Sequence, residues 1–304
     1  MFVLQLVCIV TLAEPAAVRA FLYRQLYPLI PVDRSQLHAP PAALRALGYR
    51  LDDPAELHAF KSVATPHVEA ARTDGERLRA LGDLLYRLRR PEKPWVSGGR
   101  EMGVHTMLQR MQDGESGLCG HMTIVLAALW RSLGREFREV RFTVGDERAW
   151  YAAHYGIEVF DPERSRWMYY DVGLNGYAVD DTGQPLSLDE LNRHLADGAD
   201  VAIVASTQHQ DWNASTFLNF LREHSLQVVS VNNELRGLDA DRRFGPLNFA
   251  HGLLSRLPRP LDRVIDALTG DSAPRLVLAD RTPPPADTAR LHVIASLNAA
   301  GLSR

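Results

Sequence analysis

Residues 115–134, ESGLCGHMTIVLAALWRSLG, put one cysteine behind a small-residue turn and at the head of a strongly apolar run. Leu118, Met122, Val125, Leu126 and Leu129 recur at three- and four-residue spacing, the mark of a helix with a wide apolar stripe. Gly134 stands where such a helix ends in a left-handed residue. The pattern predicts a core helix over 117–133 with Cys119 in its first turn. Unpaired backbone N–H groups and the helix dipole favour an anion there. Gly117 and Gly120 add no side-chain bulk, so both are expected to border a substrate carbonyl, with nearby N–H groups as oxyanion donors.

A reactive thiolate needs a base and a group that orients the base. Alternation at Val140, Phe142 and Val144 reads as a strand, Tyr155–Phe160 as a second and Arg166–Asp171 as a third. Asp161-Pro-Glu-Arg-Ser165 carries turn chemistry. A four-residue loop at 161–164 would set Phe160 opposite Ser165, and therefore His154 opposite Asp171. Opposed Cβ atoms lie about 4.5–5.5 Å apart and on one face. His154 is then the candidate base and Asp171 its orienter. Trp167, on the same face, is read as a wall of the substrate site, and Tyr169 as core or wall. His121 is a rival base, but helix residues two apart point in different directions. Glu158 reads as structural, paired with an arginine. The plain alternatives are a small buried cysteine, a satisfied strand histidine and a strand-end aspartate. His105, His209 and His251 have no partner pattern.

Gly-Leu-Cys-Gly at 117–120 with its apolar helix, His154 followed by Glu158-Val-Phe160, and Arg166-Trp-Met-Tyr-Tyr-Asp171 together resemble the transglutaminase-like superfamily. The resemblance covers roughly residues 74–172. It implies an α+β fold with a papain-like core: a cysteine-bearing helix packed on an antiparallel sheet, with a helical N-terminal region and a mixed C-terminal extension. It also implies Cys119 as nucleophile, His154 as base and acid, and Asp171 as orienter, without a cofactor or a metal. A tryptophan often follows the family histidine within two residues. Here Tyr155 and Gly156 stand there.

The implied activity is thiol-dependent acyl transfer on a protein or peptide substrate, as an amide hydrolase, peptidase or transglutaminase. The alternative is a non-catalytic binding or assembly protein of the same fold. A thioester-dependent acyltransferase ranks lower, since no phosphate-binding loop is visible. Two cysteines, Cys8 and Cys119, show no metal spacing. With 34 basic and 37 acidic residues and no basic run, nucleic-acid binding is not expected.

Elsewhere Asp74–Arg90 reads as an amphipathic helix, 92–114 as an irregular segment with a turn of helix at 105–111, and 187–196 and 216–224 as helices. Residues 201–205 and 226–231 read as strands, 258–268 and 287–297 as helices. The organisation expected is 1–20 apolar segment, 21–73 helical connector, 74–180 catalytic core and 181–304 extension. Residues 1–13 carry no charge. They are short for a membrane span and are read as a signal, an anchor or a packed helix. A membrane-associated or exported location is favoured over the cytoplasm. The sequence leaves the oligomeric state open.

Overall fold

A computed structural model of the chain describes residues 29–31, 37–45, 49–89, 103–143, 152–206, 209–223, 226–230, 232–233, 235 and 275–278. The fold is α+β. Its first described strand is β1 (Leu29–Pro31), followed by α1 (Pro41–Leu44), β2 (Arg50–Leu51) and a 3-10 turn at Pro54–Leu57. That turn begins on Asp53, whose side chain accepts from Ala55 N–H, and runs into α2 (His58–Val68).

Helix α3 (Asp74–Leu88) is set by its ends and by one face. Thr73 accepts from Glu76 N–H while the Glu76 carboxylate accepts from Thr73 N–H, closing a capping box. Leu78, Leu81, Leu84 and Leu85 are buried. Helix α4 (Val104–Gln112) is a full nine-residue helix where one turn is expected, because Val104, Met107, Leu108 and Met111 form a buried stripe. Helix α5 (Cys119–Ser132) carries the cysteine at its first position and ends at Gly134, whose φ is +78°. It packs against α2, α3 and α4 on one side and the sheet on the other.

The main sheet comprises β1, β3 (Phe137–Thr143), β4 (Ala152–Asp161), β5 (Arg166–Tyr170), β8 (Leu226–Ser230) and β10 (Arg275–Leu278), in the order β1-β10-β8-β3-β4-β5. All its pairings are antiparallel except β1 with β10. Period two splits its residues between two cores. Ile157, Val159, Met168 and Tyr170 pack with α5 and the other N-terminal helices. Val140, Trp167 and Tyr169 pack on the opposite side with α6 (Leu188–Asp197) and α7 (Ala214–Glu223).

Two small pairs complete the framework: β2 with β9 (Asn232–Asn233), and β6 (Gly176–Val179) with β7 (Ala202–Ala205). The boundary expected at residue 180 therefore falls inside the β6–β7 unit, and β8 from beyond it completes the sheet beside β3. Residues 1–13, Cys8, His251 and the helices expected at 258–268 and 287–297 lie outside the described residues. Among the described residues no helix is long and apolar enough to cross a membrane.

The hairpin register differs from expectation by two residues. Phe160 pairs with Trp167 and Asp161 with Arg166, so the four-residue loop is Pro162–Ser165. Asp161 is the cause. Its Oδ1 accepts from Glu163 N–H (2.9 Å) and Arg164 N–H (3.2 Å), which keeps Asp161 in the strand as the loop's cap, and Ser165 takes up φ +51°. A slip of two preserves every residue's face.

Between β3 and β4, Arg138 Nε donates to Glu158 Oε2 at 2.6 Å with both side chains 1% exposed. Glu158 Oε1 also accepts from Leu188 N–H, and Arg138 Nη2 donates to Leu37 O. This buried pair ties β3 and β4 to the start of α6 and to the N-terminal connector.

Candidate functional site

Each side chain of the candidate site is placed by a local device. Cys119 opens α5. Before it, Leu118 is extended (φ −75°, ψ 168°), and His121 Nδ1 accepts the Leu118 N–H at 3.1 Å. His121 is thus turned back onto its own helix end, which accounts for its burial and places it apart from the base role. Cys119 is a free thiol, partly exposed.

Asp171 stands where β5 leaves the β4 ladder. Its backbone pairs with Gly176 in both directions (2.9 and 3.2 Å), closing a turn over Val172–Asn175. Its Oδ1 accepts from Leu174 N–H at 3.0 Å, and Asn175 sits at φ +48°. Asparagine tolerates that left-handed position. The Asn175 side chain bridges Asp83 of α3 and the Tyr170 hydroxyl, fastening the turn to the helix layer.

His154 and Asp171 meet although they are not cross-strand partners. The ladder's last paired residues are Ile157 and Tyr170. The two side chains share a face and approach diagonally, His154 Nε2 to Asp171 Oδ2 at 2.6 Å. Both are buried, at 1% and 0% exposure. The Cys119 side chain lies close enough to the His154 ring to interact with it. With Nε2 engaged by Asp171, Nδ1 is the ring nitrogen available to the sulfur. Burial alone would lower the imidazole pKa. The Asp171 charge and the bonds to Asp171 and Cys119 outweigh it and push the ring up to about 10. Burial would raise the Asp171 carboxyl, but His154, Tyr169 and Leu174 N–H hold it below its ordinary value.

The two glycines also stand tight against neighbouring elements. A Cβ on Gly117 would come within 2.7 Å of Met111 Cε and 3.1 Å of His121 Cβ; one on Gly120 would stand 3.3 Å from the Tyr155 ring. Their lack of bulk lets α5 settle on α4 and β4. Trp167 is 1% exposed, with its indole N–H bonded to Ala39 O and the Arg138 guanidinium 4.2 Å from its ring centre. It is a core residue in the layer opposite α5, with no accessible wall to offer.

Trp212 and Phe220 are the side chains that do line the histidine. Their rings lie 4.3 Å and 5.4 Å from the imidazole centre. They come from the strap that precedes α7 and from α7 itself. Gly173 O accepts from Asp211 N–H (2.7 Å) and Trp212 N–H (3.1 Å), and the Tyr86 hydroxyl accepts from Asp211 N–H (3.0 Å). Arg89 at the end of α3 forms a two-point ion pair with Asp211. A Cβ on Gly173 would stand 3.2 Å from Asp171 Oδ1, 3.5 Å from Trp212 and 3.6 Å from His154. The strap closes over that gap. No local sequence signal joins Trp212 to a histidine 58 positions away. Tyr169 was read as core or wall; its parity with Asp171 is the signal that places it on the same face. Among the described residues no His, Cys, Asp and Glu cluster could hold a metal ion.

No family model matches the chain, and no curated protein matches it. Among solved structures, a crystal structure from Parabacteroides distasonis, provisionally described as a protease, is 13% identical with a TM-score of 0.29. The match covers 45% of this chain and 28% of that one. A likeness that slight carries no argument about fold or chemistry.

Proposed function

We propose that the protein is a thiol-dependent acyl-transfer enzyme, with Cys119 as nucleophile, His154 as base and acid, and Asp171 as orienter, on a papain-like core of the transglutaminase-like kind. The observation that carries this reading is the 2.6 Å bond between His154 and the buried Asp171 carboxylate, with the Cys119 side chain interacting with the same imidazole. The Cys119 sulfur, its proton already passed to His154, attacks a carbonyl carbon of a protein or peptide amide. As the C–N bond breaks, His154 protonates the departing amine. Water then attacks the thioester, delivering its proton to His154, and the acid product leaves as the S–C bond breaks. An amine in place of water would make the same site a cross-linking transferase. The N–H groups of Cys119 and Gly120, at a helix start with no intrahelical acceptor, are the candidate oxyanion donors.

Iodoacetamide tests the nucleophile directly. Native protein at neutral pH should alkylate at Cys119 well ahead of the urea-denatured chain, with the site read by peptide mass. An activated p-nitrophenyl ester should release a burst of p-nitrophenol and leave an acyl group on Cys119. Both signals should vanish in Cys119→Ser. Alkylation no faster than in the denatured chain would overturn the proposal.

The burial of His154 under Trp212 supports the second reading, a non-catalytic protein with a covered site. Trp212→Ala separates the two. If Trp212 is a substrate wall, alkylation stays within about twofold while KM for the ester rises up to about tenfold, the worth of one aromatic contact. If Trp212 is a cover, alkylation accelerates by more than tenfold over a slow native rate.

A further inference from the structure

Asp171 Oδ2 accepts two bonds, one from His154 and one from the Tyr169 hydroxyl, each at 2.6 Å. The phenol is 1% exposed and its ring stacks on Phe217 (centres 6.1 Å apart, planes 9° apart). Room for it is made by Gly156: a Cβ there would lie 2.5 Å from the Tyr169 oxygen. Burial and the Asp171 charge both hold the phenol protonated, so it is a donor at any working pH. Leu174 N–H takes Oδ1. The carboxylate is therefore held at three points from three directions.

We infer that Tyr169 is a positioning residue of this site: its hydroxyl holds the buried Asp171 carboxylate in place against the His154 ring. The inference rests on the catalytic reading above. Without the hydroxyl, Oδ2 keeps only His154, the carboxylate can swing about its Oδ1 bond, and less opposes the penalty of burying its charge. The charged and titratable groups around the pair are His154 and Glu158 on β4, Cys119 on α5, Arg138 on β3 bonded to Glu158, Asp83 on α3 bonded to Asn175, and the Arg89–Asp211 pair at the strap. Among the described residues, Tyr169 and Leu174 N–H join His154 in bonding the carboxylate.

Tyr169→Phe removes one oxygen and leaves the ring and its stacking in place. In the full-length variant, iodoacetamide alkylation of Cys119 should slow about tenfold, the scale of one lost hydrogen bond to a charged group. Its acid limb should move up by about one pH unit. Carbon-13 NMR of Asp171 should show the carboxyl titrating higher by a similar amount. A merely structural tyrosine would lower the melting temperature and leave the limb and the carboxyl titration where they were, and that outcome overturns the inference. If Tyr169→Phe does not fold, Gly156→Ala displaces the same hydroxyl and should move the carboxyl titration in the same direction; an unmoved titration overturns the inference equally. The NMR measurement needs no turnover. Failure of alkylation in the unaltered protein therefore sinks the catalytic reading alone.

Discussion

Asp171→Asn lowers ester turnover by about 10⁴-fold, the scale found when a buried acid behind a catalytic histidine loses its charge, and it leaves the fold in place. Asparagine has the shape of aspartate, and its oxygen can still accept from Leu174 N–H or Tyr169. What it cannot do is face His154 Nε2 with a negative oxygen. If its amide nitrogen turns to the ring, Nε2 must become the acceptor and the proton moves to Nδ1, the nitrogen that should take the thiol proton. The same substitution has a stability signature. The His154 pKa stands at about 10 in the folded protein against 6.5 as the ordinary value. A folded pKa above the unfolded one stabilises fully below about pH 6.5, and that stability is lost as pH rises through 10. Asp171, lowered from 3.8, contributes above that value and loses its contribution as pH falls through its folded pKa. Urea midpoints of the native protein should therefore decline between pH 6.5 and 10, and in Asp171→Asn that decline should flatten. An unchanged slope would mean that the carboxylate does not hold the imidazolium.

Glu158→Ala should cost about 3–5 kcal/mol, the price of leaving a buried charge without its partner. Arg138 would keep Leu37 O and its stacking on Trp167 but lose its only carboxylate among the described contacts, at 1% exposure. Leu188 N–H would lose its acceptor at the first turn of α6. Against a total stability of about 5–15 kcal/mol, that leaves a protein close to unfolding at growth temperature. The double replacement Arg138→Met with Glu158→Leu should recover much of the loss, because the pair's desolvation cost disappears along with its attraction. Chemical denaturation of the two variants checks both statements. A Glu158→Ala midpoint near that of the unaltered protein would show that water reaches Arg138.

The elements of the candidate site were legible where a signal was local and periodic. The apolar stripe of α5 and the alternation of β3 each declare themselves within one window of sequence. The register did not, because Asp161 reads equally well as the first loop residue or as the last strand residue. Only its side-chain bonds to Glu163 and Arg164 decide. Parity survived the slip, so His154 and Asp171 still share a face. The packing role of Gly117 and Gly120 was not legible, because a glycine beside a cysteine looks the same whether the space it leaves belongs to a substrate or to a neighbouring element. Trp167 was misread because strand alternation gives a face but not what covers it. The strap is the other extreme: nothing near Trp212 in sequence says that Gly173, Tyr86 and Arg89 will hold it.

Strand β3 gains its two neighbours at very different moments in the life of the chain. On one side β4 begins nine residues after β3 ends, and a hairpin of that span closes in microseconds. On the other side β8 begins only at Leu226, after β5, β6, α6, β7 and α7 have been made. While the chain is being synthesised, β3 therefore shows a bare row of N–H and C=O groups to whatever strand passes. The hydrogen-bonded elements that hold Cys119, His154 and Asp171 can form early, but their sheet stays open to a wrong partner until the ribosome has passed residue 230.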